Sequence, residues 1–316
     1  MRGGFAYERW KRGLSVMIPK KPGARRVDQQ RALLLFEGDF NWANKTIFAD
    51  RMVKRAMHHD VIPGEQYAKN ASTALDVAFM RMLHCDILRL RRWSGAIASV
   101  DANNCFERIG HRSMALACQS MGVSKGPLVS MLSALSLMTF FLRTRYGDSR
   151  THYGGNADEL FEGLGQGNGA RPAGWLVVSS ILLEYLRRSC VCTNGTSSLS
   201  QQPFVYAAMA FVDDTDIPVM ARSEEESARS VFNRLQLAVT HWGQTLKYTG
   251  GLLVNLKSHW WSIFFVWNGN KWRYGQKPRG VTITVLNEEG EEGKNPNLQS
   301  RTGEENDRSH RSHRSS

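Results

Sequence analysis

The stretch that most constrains this chain is Phe211-Val212-Asp213-Asp214. It lies between two apolar runs, Val205-Tyr206-Ala207-Ala208-Met209-Ala210 before it and Ile217-Pro218-Val219-Met220 after it. Two apolar runs around a short polar break read as a β-hairpin with the acids at its turn. Core packing has no use for neighbouring carboxylates, which repel and resist desolvation unless a cation neutralises them. A solvated turn is the plainer reading, because Asp favours turns through local hydrogen bonds. Asp216 fits that plainer role, as a turn residue. The company this tetrapeptide keeps decides between the readings.

Upstream, Gly95-Ala96-Ile97-Ala98-Ser99-Val100 reads as a strand of small and β-branched residues that ends at Asp101. A carboxylate at the C-terminal edge of a strand is where α/β folds place chemistry. Leu164-Gly165-Gln166-Gly167-Asn168-Gly169-Ala170-Arg171-Pro172 is a glycine-rich loop that opens a helix from about Ala173 to Arg188. Glycines there let backbone N–H groups approach an anion or a base pair. The spacing is not a P-loop, since no Lys-Ser/Thr pair follows.

At the N-terminal end, strands Leu14–Ile18 and Arg31–Phe36 flank a turn rich in Lys and Arg, a plausible phosphate clamp or an ordinary solvated tip. Helices are expected from Phe40 to His59, from Ala74 to about Leu90 after a cap at Ser72 or Thr73, from His111 to Met121 and from Lys125 to Leu137. On the second of these, Leu75, Ala78, Phe79, Met82 and Leu83 form one apolar face. A strand from Thr139 to Tyr146 precedes a turn at Gly147-Asp148-Ser149, and residues 191–203 read as a polar loop. Ser223 with Glu226 reads as a capping box for a helix to about Gln244. Gly250 to Ser258 reads as turn, strand, turn, and Trp260 to Val266 as an apolar strand pair. From about Asn287 the composition turns to Glu, Gly, Asn, Ser, Arg and His, too polar to fold, so a disordered tail is expected.

In their order, the strand ending in Asp101, the Gln166-Gly167 loop and the Asp213-Asp214 hairpin resemble the palm of a reverse transcriptase of the non-LTR (LINE-like) retrotransposon kind. The family's first motif, strand-Asp followed by an aromatic, is matched by Val100-Asp101 through Phe106. Its Gln-Gly loop is matched by Gly165-Gln166-Gly167-Asn168, and its aromatic-x-Asp-Asp by Phe211 to Asp214. The Gly250–Lys257 stretch is similar to a fourth motif. Ile18-Pro19-Lys20 and Arg31-Ala32-Leu33 resemble fingers motifs, and Pro63-Gly64-Glu65-Gln66-Tyr67 the segment before the first palm motif. The resemblance covers about residues 14–265. Two departures stand out. Phe replaces a common Tyr before the acid pair, and Asn168 to Pro172 replaces an acid-Pro-Leu-Ser-Pro run.

What the resemblance implies is an α+β fold. It has right-hand fingers and palm, an antiparallel palm sheet backed by helices, and a thumb that is missing or vestigial. Residues 1–92 would be fingers-like and 93–275 palm, with about 122–160 connecting the two. Residues 276–316 would be a short extension and tail. The implied activity is addition of deoxynucleotides to a primer 3′-hydroxyl, directed by an RNA template. Two Mg²⁺ ions (or Mn²⁺) would be held by Asp101, Asp213 and Asp214, since Mg²⁺ takes carboxylates with substrate phosphates completing its shell. Phe106 stands where the family keeps a steric gate against the 2′-hydroxyl, a repulsive form of selection. Gln166 and Gly167 would pack on the templating pair, and Lys20 and Arg31 would bind the triphosphate. Lys257 would protonate or neutralise the leaving pyrophosphate. Two alternatives stay open: an inactive nucleic-acid-binding remnant and an RNA-directed RNA polymerase, because a palm alone does not set sugar or template choice.

Composition agrees with such partners. The 316 residues carry a net charge of +12, which favours a polyanion such as an RNA template or a DNA or RNA primer. Five cysteines without C-x-x-C spacing argue against a zinc site or a disulfide framework, and read as thiols of an intracellular, non-secreted protein, nuclear or cytoplasmic. No membrane partner is expected, because the longest apolar run is too short to span a bilayer.

Overall fold

The computed structural model describes residues 6–24, 26–69, 71–102, 105–156, 158, 160–189, 192–196, 200–254, 257–275, 280–285 and 299–301. Strands β1 (Arg12–Pro19) and β2 (Gln30–Leu35) precede α1 (Gly38–Asn44), a π-helical stretch (Lys45–Met52) and α2 (Val53–His58). Then α3 (Ala74–Arg91) leads into β3 (Gly95–Asp101). Next come α4 (Cys105–Arg108), α5 (His111–Ser120), α6 (Lys125–Ser136), β4 (Thr139–Thr144) and β5 (Gly147–Gly154). They are followed by α7 (Arg171–Arg188), β6 (Thr193–Thr196), β7 (Pro203–Tyr206), β8 (Met209–Phe211) and β9 (Asp214–Met220). Last are α8 (Ala228–Tyr248), β10 (His259–Ile263), β11 (Phe265–Trp267), β12 (Trp272–Tyr274) and β13 (Gln299–Arg301). The fold is thus mixed helix and sheet, with mainly antiparallel pairing.

Two compact units emerge, Met1–Ile62 with Asn104–Val178, and Pro63–Asn103 with Ser179–Ser316. The first holds a four-stranded sheet in the order β2-β1-β4-β5. Strands β1 and β2 pair antiparallel with Ile18 opposite Arg31, so the basic turn lies at the hairpin tip. Phe40, Phe48, Phe140, Met131 and Trp175 are buried in this unit.

The second unit is built on a sheet in the order β13-β10-β3-β9-β8. Helix α8 packs on β3 and β9. Its apolar stripe Val231, Leu235, Ala238, Val239 and Trp242 is buried, and Phe232 meets Trp260 edge to face. Since neighbours along a strand alternate faces, α8 covers the face of Trp260 and Ala98, which are register partners. On the other face Leu88 of α3 packs with Ile97, Trp261 and Ile263. Gly95 makes that approach possible, because a Cβ there would lie 2.3 Å from Leu88 Cδ1.

Several expectations are corrected. Helix α3 starts after Thr73, one of the two expected caps, and Thr73 forms a capping box with Asp76. Yet Leu75, Phe79, Met82 and Leu83 are exposed, while His84 and Leu88 are buried. The helix carries two apolar stripes, and the one that fits the Ile97–Trp261 surface is the one buried. The turn expected at Gly147 lies at Arg145-Tyr146, because Gly147 already pairs with Thr144. The polar loop 191–203 and the run after it contain a separate hairpin, β6–β7, so Val205-Tyr206 pairs away from the acid hairpin. Helix α8 is capped by Ser227, whose hydroxyl accepts from Ser230 N. Glu226 instead pairs with Arg234 at 2.9 Å. Among the described residues, Gly250–Ser258 forms no strand of its own and makes a bridge at Leu253, opposite Ala102. Most of the expected tail lies outside the described residues, but Gln299–Arg301 pairs with β10.

Cys85, Cys105, Cys118 and Cys192 are free thiols, and burial pushes that of Cys118 up to about 12; Cys190 lies outside the described residues. Among the described residues no helix is long and apolar enough to cross a membrane.

Candidate active site

In the second unit, β3 and β9 are antiparallel and Asp101 is the direct register partner of Asp214. Cross-strand partners lie on the same face, so the two carboxylates share the α3 side of the sheet. Asp213 sits in the two-residue turn between β8 and β9, where Phe211 pairs with Asp214. Val212 has φ 55°. A two-residue hairpin needs positive φ at its first central position, which usually falls to glycine. A β-branched residue held there stores about 1–3 kcal/mol of strain. The surrounding structure must hold the turn. Tyr67 N donates to Ala210 O at 2.8 Å, and Ala210 N to Glu65 O at 2.9 Å. Glu65 is itself buried in a pair with Arg187.

The Gly250–Ser258 segment is clipped to the end of β3. Val254 N donates to Asp101 O at 2.9 Å, and Asp101 N to Ser258 Oγ at 3.2 Å. These clips bring Lys257 Nζ to 3.0 Å from Asp101 Oδ2. Asn255 and Leu256 lie outside the described residues. The carboxyl of Asp214 is held above its ordinary range by partial burial, then by Asp213, Asp101 and Asp216, with Lys257 acting the other way. Such an excess of negative charge with one nearby lysine is a site that welcomes further cations. Among the described residues no group of three His, Cys, Asp or Glu closes into a metal cage.

Asp216, expected at a turn, is a buried strand residue of β9 opposite Ser99. Arg81 of α3 donates to its Oδ1 at 3.2 Å, and the Ser99 hydroxyl donates to the same atom. Sequence reasoning missed Arg81 and Ser99, although Ser99 stands two residues before Asp101 and hence on its face. A cavity of about 350 Å³ opens beside the acids, lined by Val77 and Arg81 of α3, Met209, Phe211, His259 and Lys257.

In the first unit, Gln166 and Gly167 lie along β2, where Leu34 N donates to Gln166 O at 2.7 Å. Gly167 has φ +127°, and a Cβ there would lie 2.0 Å from Leu34 O. Only glycine suits both conditions. Asn41 Nδ2 donates to Gly167 O at 3.1 Å, and Asn44 Nδ2 to Asn168 Oδ1 at 3.2 Å in the interior. These two asparagines of α1 went unread in the sequence, because their partners lie more than a hundred residues away. Phe106, in α4, is covered by Arg171, and its carbonyl accepts from Leu164 N at 2.8 Å. Lys20 and Arg31 are exposed near the β1–β2 tip. The structure therefore unites Asp101, Asp213, Asp214 and Lys257 in one unit. Lys20, Arg31, Phe106, Gln166 and Gly167 belong to the other.

No family model matches the chain, and no curated protein matches it by sequence. Solved structures do. A C-terminally truncated apo telomerase from Candida tropicalis superposes with TM-score 0.53 at 10% identity, covering 88% of this chain and 53% of that one. The fold is polymerase-like. The telomerase of Candida albicans, solved with a TWJ fragment of telomeric RNA, matches with TM-score 0.54 at 9% identity over 92% of this chain and 47% of that one. The RNA-dependent RNA polymerase of a human picorbirnavirus, as an insertion-loop deletion mutant, reaches TM-score 0.44 at 13% identity over 83% of this chain and 44% of that one, too low to carry weight. The chain spans about half the length of the telomerases it matches.

Proposed function

We propose that this chain comprises the fingers and palm of an RNA-directed DNA polymerase of the non-LTR retrotransposon kind. The observation that carries the reading is the register pairing of Asp101 with Asp214, the strand-end acids of the two palm motifs. Telomerases are among the solved structures whose fold this chain shares.

Asp101, Asp213 and Asp214 would hold Mg²⁺. The fit rests on the raised carboxyl of Asp214 among like charges. No closed cage is needed, because Mg²⁺ is ordinarily bound through one or two carboxylates plus substrate phosphates. When bound, two such ions supply charge stabilisation to the attacking and leaving oxygens of an in-line phosphoryl transfer. Lys257 Nζ, 3.0 Å from Asp101 Oδ2, carries the proton available to the leaving pyrophosphate. Lys20 and Arg31 receive the triphosphate of a deoxynucleotide. Gln166 and Gly167 support the templating pair, and Phe106 excludes the 2′-hydroxyl. The RNA template and a DNA or RNA primer meet a basic protein whose affinity falls with salt.

Primer extension on an RNA template with Mg²⁺, supplied with deoxynucleotides or with ribonucleotides, tests this reading. Extension with deoxynucleotides is expected. Extension with ribonucleotides alone would make the chain an RNA-directed RNA polymerase. Duplex binding without extension would make it a non-catalytic remnant.

A further inference from the structure

Arg171 opens α7 within the first unit, at the place where the glycine-rich loop departs from its relatives. Its guanidinium carbon lies 3.8 Å from the centroid of the Phe106 ring. That is a face-on cation–π contact, well inside the range in which the ring quadrupole attracts a cation. Arg171 Nη2 is also 3.5 Å from Glu107 Oε1, and the arginine side chain is only 21% exposed. One helical turn further on, Trp175 is fully buried and meets the same ring at 6.2 Å and 59°. Residues four apart share a helix face, so α7 grips the ring at two points. The Phe106 backbone is tied too, through its carbonyl to Leu164 N at 2.8 Å.

We propose that Arg171 is a positioning residue for sugar selection: it clamps the Phe106 ring, and discrimination against ribonucleotides depends on that clamp. The inference rests on the reading of Phe106 as the gate. A gate works by repulsion, and a repulsive element discriminates only as far as moving it aside is costly. An unclamped phenylalanine on the four-residue α4 yields by rotating about its side-chain torsions. A ring held under a planar guanidinium, itself held by Glu107, does not. Lysine would keep the charge but lose the broad planar guanidinium over the ring and its fork geometry. Asn41 and Asn44 hold the loop elsewhere and have no part in this contact.

The test is single-turnover insertion of dCTP against CTP opposite a templating guanine. It compares wild type, Arg171→Ala, Arg171→Lys, Phe106→Ala and the Phe106→Ala/Arg171→Ala double variant. Arg171→Ala is expected to lower the dCTP:CTP preference by about 3–10-fold, in keeping with the strength of a partly buried cation–π contact. Arg171→Lys should fall between, and the rate with dCTP should change little. In the Phe106→Ala background, Arg171→Ala should cost no further preference, because the two act through one ring. A purely structural role would move folding and overall rate but not this ratio or its non-additivity. Equilibrium binding of dCTP and CTP to the primer–template complex in Ca²⁺ reads the same preference without chemistry. A preference lost in Phe106→Ala but kept in Arg171→Ala overturns the clamp and leaves the gate. A preference kept in both overturns the gate and the clamp together. Neither insertion nor nucleotide binding by any variant overturns the polymerase reading beneath them.

Discussion

The two units carry their candidate residues in opposite ways. In the second, the acids stand where register puts them: Asp101 opposite Asp214, Ser99 opposite Asp216, with like charges crowded on one sheet face. In the first, Gln166 and Gly167 are uncharged and are held by close approach and hydrogen bonds to β2 and α1. One region is electrostatically frustrated and the other sterically over-determined. Frustrated charge marks where chemistry happens, because the folded chain tolerates it only for what it can bind. Over-determined backbone marks where a partner must be positioned.

The contrast can be broken by substitution. Asp101→Asn removes a charge that the proposed chemistry needs, and is expected to lower primer extension about a thousandfold while the protein stays folded. Thermal unfolding beside the extension assay separates the two effects, and near-normal extension would remove Asp101 from the site. Gly167→Ala acts in the other region. Its φ of +127° and the 2.0 Å approach to Leu34 O require the backbone to shift. The expected cost is about 2–3 kcal/mol in urea denaturation, together with weakened template binding. An unchanged midpoint would show that the loop is not built by this contact.

A smaller effect is expected behind the acids. Arg81→Met leaves Asp216 with Ser99 as its remaining partner in the network. Because the Arg81 side chain is 36% exposed, solvent screening limits the loss to about 1–2 kcal/mol. Measured in a cycle with Ser99→Ala, the losses should be non-additive, as they are within one hydrogen-bonded network.

The smallest shift has the opposite sign. The Asp214 carboxyl is raised in the folded protein, so the folded state binds its proton more tightly than the unfolded chain does. Stability from this group is therefore fully present below the ordinary carboxylate value near 3.8 and is lost as pH rises through the raised one. Asp214→Asn should raise the melting temperature at neutral pH in EDTA and flatten the slope above pH 4. Mg²⁺ should stabilise wild type more than the variant. A lower melting temperature for Asp214→Asn would mean that the acids are not frustrated.

Sequence legibility follows the same divide. The strand to Asp101, the acid hairpin and the helices α5, α6 and α7 are written locally, in alternation, small residues and 3.6-residue spacing. The strand and the helices lie where the sequence places them, whereas the hairpin keeps its acid turn but has the shorter β8 (Met209–Phe211) and the longer β9 (Asp214–Met220). The face of α3 was not legible, because Leu75-Phe79-Met82 and Val77-Met80-Ile87-Leu88 are both apolar stripes and only the sheet beneath chooses between them. Asp216 looked like a turn residue because its partner Arg81 is 135 positions away. The Arg171–Phe106 stack joins two motifs that the sequence shows apart. Chemistry was legible as residue type, whereas positioning depended on long-range contacts.

The central claim is that the opposed acids of β3 and β9 are a metal-dependent polymerase centre. Its most direct test is Mg²⁺-dependent extension of a primed RNA template with deoxynucleotides, wild type beside Asp213→Ala/Asp214→Ala at matched folding and duplex affinity. The account predicts extension that requires Mg²⁺ and vanishes in the double variant. Extension that survives in the double variant, or duplex binding by both proteins with extension by neither, would contradict it.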